Sequence, residues 1–72
     1  MIKINEELLN ISTRKLLKNV GVNSQRIIET SIRDAVKSGK ITPDKTINVS
    51  FNLNIDELGI SEKIEGEIEV AS

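Results

Sequence analysis

Seventy-two residues make one small domain at most, spanning 1–72, and such a chain buries only about 60% of the surface its unfolded form exposes. Cysteine and histidine are both absent, which excludes disulfides and any thiolate or imidazole zinc site. The net charge of −1 selects neither a polyanion nor a membrane. The charge is unevenly spread: residues 1–46 hold nine Lys/Arg and five Asp/Glu, giving +4, and residues 47–72 hold one Lys and six Asp/Glu, giving −5.

Met1 to Ile4 reads either as a lead-in or as a short extra strand. Asn5 is placed to cap a first helix, and Glu6 and Glu7 suit the positive end of its dipole. The periodicity predicts this helix over about 6–19; Leu8 and Ile11 fall off its stripe, so either the first turn bends around a second contact or the helix proper starts later, capped by Asn10 or Ser12. Leu9, Leu16 and Val20 form its stripe, and Arg14, Lys15 and Lys18 lie in its last turns. Val20-Gly21-Val22-Asn23-Ser24 then reads as a stop and a restart. Gly21 in the left-handed conformation would close the first helix, with Val22 meeting Leu17 as in a Schellman motif. Asn23 or Ser24 would cap the next, with Val22 and Ile27 as its hydrophobic staple. The second helix is expected over 24–38, burying Ile27, Ile28, Ser31, Ile32, Ala35 and Val36, and Gly39 ends it.

Thr42-Pro43-Asp44-Lys45 has proline where a type I turn wants it, and Ile41 is expected to plug the core. Strands follow over 47–55 and 62–70, each alternating apolar with polar residues, which is the pattern of a half-buried antiparallel hairpin. Two registers keep the apolar faces together. One pairs Phe51 with Ile64 across a tight Asp56–Gly59 loop. The other pairs Phe51 with Gly66 and Leu53 with Ile64 across a six-residue loop, with Leu58 and Ile60 tucked inward. The second is preferred, because an aromatic ring lying over a cross-strand glycine covers its bare backbone. The expected fold is therefore α+β, a two-helix hairpin packed on one face of a two-stranded antiparallel β-hairpin, in the order α-α-β-β.

No catalytic, cofactor-binding or metal-ligating residue is assigned. Nucleophilic catalysis needs a base within reach of the nucleophile, and there is no histidine to serve. Glu65, Glu67 and Glu69 share a strand face with nothing apolar around them to shift a pKa. Asp56-Glu57-Leu58-Gly59 is too sparse for an oxygen-ligand metal loop. The contact candidates are Gln25, Arg26, Thr30, Arg33 and Lys37, a polar and basic stripe on the second helix. They suit a protein partner or, as the alternative, a nucleic acid met by a truncated winged helix-turn-helix. Against that alternative stand the missing third helix and a hairpin carrying six acids where a phosphate-tracking wing should be basic.

The leading expectation is a non-enzymatic interaction or structural module, with an unidentified protein or a second copy as partner. A homodimer through the hairpin edge would join two hairpins into a four-stranded sheet. No apolar run approaches the roughly 18–20 residues of a membrane span, and Met1–Glu7 lacks a signal peptide's order of charge, so a cytoplasmic protein is expected.

The run from Arg14 through Gly21-Val22-Asn23-Ser24-Gln25-Arg26, on through Ile28-Glu29 to Ser38-Gly39-Lys40, resembles a family of small bacterial proteins known as a domain of unknown function. The tail Ile64-Glu65-Gly66-Glu67-Ile68-Glu69-Val70 fits as well. The chain departs from that pattern at Leu16, where the family has Phe, and at Ile27, where it has Glu. The resemblance implies a free-standing small domain and brings no activity, cofactor or site with it.

Overall fold

The computed structural model describes residues 3–71. The elements run α1 (Glu6–Lys37), β1 (Thr46–Ile55), a 3-10 turn (Asp56–Leu58) and β2 (Ile60–Glu69). This is an α+β chain with one helix where two were expected. It divides into two compact units, Met1–Asp34 and Ala35–Ser72. The alternatives for Met1 and Ile2 lie outside the described residues, and Lys3 to Asn5 form no strand.

The start of α1 follows the expected chemistry. The Asn5 side-chain oxygen accepts from the Leu8 N–H at 3.0 Å, and its carbonyl accepts the first helical bond from Leu9 at 2.9 Å. Glu6 and Glu7 occupy the first turn.

The helix then passes through Val20–Ser24 without a break, so the stop and restart expected there are absent. Gly21 has no positive φ, and a Cβ built on it meets nothing within 4 Å. Asn23 does not cap forward. Its amide nitrogen donates back to the Asn19 carbonyl at 2.9 Å and to the Asn19 side-chain oxygen at 3.1 Å, one turn earlier on the same helix. Val22 is 61% exposed and staples nothing. A lone glycine inside a helix costs only about 1 kcal/mol relative to alanine, which by itself is too little to end one. At 100° per residue Ile27 keeps the phase of Leu9, Leu16 and Val20, within about 40°, while Ile28, Ile32 and Val36 lie about 100–180° round from it, so the apolar face turns along an unbroken helix.

The stop that does occur is at Gly39, with φ of 79°. Its N–H donates to the Val36 carbonyl at 3.1 Å, and the Lys40 N–H donates to the Ala35 carbonyl at 2.8 Å. These are the two bonds of a Schellman motif. The turn at Thr42-Pro43-Asp44-Lys45 also forms, with the Lys45 N–H donating to the Thr42 carbonyl at 3.2 Å. Hydrogen bonds from the Thr42 side chain and from its own backbone N–H hold the Asp44 carboxyl below the usual carboxylate range.

β1 and β2 pair antiparallel, with Ile47 opposite Ile68, Val49 opposite Gly66, Phe51 opposite Ile64, Leu53 opposite Glu62 and Ile55 opposite Ile60. The tight-loop register is the one adopted, and the preferred pairing of Phe51 with Gly66 is wrong. The loop decides it. Asp56 and Gly59 hold the first and fourth places of a type I turn, where those residue types are favoured. The Gly59 N–H donates to the Asp56 carbonyl at 3.2 Å, and Gly59 takes the left-handed φ of 64°. Leu58 is 67% exposed rather than tucked in, and Ile60 belongs to β2. Glu62 falls on the apolar face, because odd residues of β1 lie opposite even residues of β2.

No described side chain is fully buried. In the second unit Ala35, Val36, Ile41, Ile47, Val49, Ile68 and Val70 are half-buried. Towards the turn Phe51, Leu53, Ile55, Ile60 and Ile64 are exposed. On α1 Ser24, Ile28 and Ile32 are half-buried, whereas Leu8, Leu9, Ile11, Leu16, Leu17, Val22 and Ile27 all exceed half exposure.

Candidate functional site

All five contact candidates lie on the one helix and are exposed. Positions 26, 30, 33 and 37 fall within about 60° of one another around α1, so Arg26, Thr30, Arg33 and Lys37 form one side. Gln25 sits apart from them, turned by about 80°. What brings Gln25 to the stripe is Glu29. The Gln25 side-chain nitrogen donates to Glu29 Oε2 at 2.8 Å, and Arg33 Nη2 donates to Glu29 Oε1 at 3.0 Å. Both carboxylate oxygens are thus engaged along one edge of the helix.

Glu29 is the member that the sequence reading passed over. Its signal was available: Gln25, Glu29 and Arg33 repeat at i, i+4 and i+8, and a Glu four residues before an Arg is the favourable order on a helix. The Gln25 hydrogen bond, and after it the Arg33 hydrogen bond and charge, lower the Glu29 carboxyl from the usual 4.5. A carboxyl lowered in the folded state stabilises the helix above the unfolded pKa, and the contribution fades as pH falls through the folded one. On acidification Glu29 should therefore stay charged below 4.5. An NMR titration of its side-chain carbon reads this directly. In Gln25→Ala and Arg33→Ala the midpoint should move up; unchanged midpoints in both would show that neither contact exists in solution.

Chemically the stripe presents two cations, Arg26 and Lys37, and one guanidinium already shared with an acid. That weakens its fit to a run of phosphates, where each contact needs its own charge. The winged helix-turn-helix reading also loses its turn, since α1 is continuous at Gly21.

The hairpin offers a second surface. Thr46, Asn48, Ser50, Asn52 and Asn54 lie opposite Glu69, Glu67, Glu65, Lys63 and Ser61 on its polar face. Lys63 Nζ pairs with Glu65 Oε1 at 3.1 Å. Among the described residues no group of three or more acids, histidines or cysteines is placed to hold a metal ion. No described helix is long and apolar enough to cross a membrane.

Neither the curated proteins nor the solved structures include a match to this chain. A family of unknown function, DUF6494, matches it over residues 4–71, from just before the Asn5 cap to just past β2. With nearly its whole length covered, the chain belongs to that family.

Proposed function

We propose that this chain is a non-enzymatic interaction module of the cytoplasm that works by associating with another protein chain, in the first instance a second copy of itself. One observation carries the reading: no described side chain is fully buried, while the large aliphatic residues of α1 and the turn half of the hairpin stand in water. Helices draw most of their stability from a packed apolar face, and a two-stranded hairpin is marginal alone. Apolar patches beyond a few hundred Å² on a soluble chain mark interaction surfaces. Sedimentation equilibrium tests the reading. Reversible self-association in the micromolar range is expected, and a monomer at high micromolar concentration would sink it.

The grouping of Arg26, Thr30, Arg33 and Lys37 on one side of α1 favours a second reading, contact with nucleic acid without a helix-turn-helix. Retardation of mixed DNA and RNA fragments that weakens with salt is expected from it. No retardation at low ionic strength removes it.

A further inference from the structure

The two edges of the hairpin are unlike. β1, Thr-Ile-Asn-Val-Ser-Phe-Asn-Leu-Asn-Ile, runs ten residues with no charged residue, no proline and no glycine. β2, also ten residues, carries Glu62, Lys63, Glu65, Glu67 and Glu69, a net charge of −3, and has Gly66 inside it. Soluble proteins blunt an open strand edge with charges, prolines, bulges or a short strand. β2 has that protection in its charges, and β1 has none of these devices. Among the described residues the sheet has these two strands, and none of them is hydrogen-bonded along the outer side of β1.

We infer that the outer edge of β1 pairs antiparallel with β1 of a second copy about a two-fold axis at Phe51, giving a four-stranded sheet in the order β2-β1-β1-β2. This rests on the self-association proposed above and names its surface. Two constraints fix the register. A slip of one residue would turn the apolar residues of one copy onto the polar face of the other, so only registers that keep odd residues opposite odd residues survive. Of these, the axis at Ser50 or at Phe51 pairs most of the strand. An axis at Ser50 leaves Ile55 facing position 45, beyond the start of the other copy's strand, so one apolar residue of each copy goes unpaired. An axis at Phe51 pairs all five apolar residues of each strand. The Phe51 axis also places Ile47 opposite Ile55, Val49 opposite Leu53 and Phe51 opposite itself on the apolar face. On the polar face Asn48 meets Asn54 and Ser50 meets Asn52. Apolar and aromatic cross-strand pairs of this kind are the units that stabilise a sheet.

The chain has no cysteine, so an introduced one reports without ambiguity. Ser50→Cys and Asn52→Cys proteins, mixed and mildly oxidised, should form the mixed disulfide, one copy of each variant, faster than either variant forms a disulfide with itself. A control with Glu67→Cys on β2 should cross-link at the rate of random collision. Faster self-linking of Ser50→Cys would overturn the register, and cross-linking no faster than the control would overturn the edge. As a second measurement, Asn52→Lys places a charge on the β1 edge and should weaken association at least tenfold in sedimentation equilibrium, with its circular dichroism unchanged. Asn52→Lys dimers as tight as the parent's would refute pairing through β1 and leave self-association standing, whereas a monomeric parent chain would refute self-association itself.

Discussion

Replacing Gly21 by proline is expected to destabilise the chain by about 3 kcal/mol, and replacing it by alanine to stabilise it by about 0.5–1 kcal/mol. The opposite signs follow from the continuous helix. Proline removes an interior hydrogen bond and clashes with the preceding turn. Alanine adds a Cβ into open space and narrows the unfolded ensemble. Had Gly21 been a left-handed stop, alanine would have been the damaging change, costing on the order of 1 kcal/mol. Thermal melts followed by circular dichroism separate the two. An alanine variant that melts below the parent would mean that α1 breaks at Gly21 or that something packs against its bare backbone there.

Phe51→Ala should cost about 3 kcal/mol of the associated state, as for an aromatic removed from a packed site. In the single chain Phe51 remains 40% exposed, opposite Ile64. Left in water, its truncation would fall within the roughly 0.5 kcal/mol typical of surface changes. Urea unfolding at several protein concentrations distinguishes the cases. The parent midpoint should rise with concentration, and the variant midpoint should fall well below it. Equal midpoints at every concentration would place the Phe51 face outside any interface.

Local chemistry was legible wherever one residue type has one physical use. Asn5 caps, Gly39 stops, Thr42–Lys45 turns, and the two-residue alternation of Ile47 to Ile55 makes a strand. The same logic misled at Gly21, because a glycine permits a left-handed stop without requiring one. At Gly39 the chain beyond meets a proline at position 43, and nothing resumes the helix. At Gly21 the helix goes on through residues that pair back along it, and Asn23 finds its partner in the preceding turn. The discriminating signal is therefore what lies beyond each glycine.

The register was misjudged for a related reason. An aromatic ring over a cross-strand glycine constrains the pairing less than loop chemistry does, and Asp56 and Gly59 specify a four-residue turn. At the candidate stripe Arg26, Thr30, Arg33 and Lys37 were legible as one side of a helix. The acid that ties Gln25 to Arg33 emerges only from pairs one turn apart, not from the net charge of a face.

The charges on β2 carry a consequence for stoichiometry. An assembly that joins unlike surfaces head to tail can grow without end, whereas one that joins a surface to itself is complete at two. In the proposed dimer β1 would be spent in the centre of the sheet, and each outward strand would present the four glutamates and one lysine of β2. A third hairpin would have to lay its own edge along that charge. In the proposed dimer the glutamates of β2 would act as terminators, holding the number of copies at two while leaving the neutral strand free to pair with its own kind.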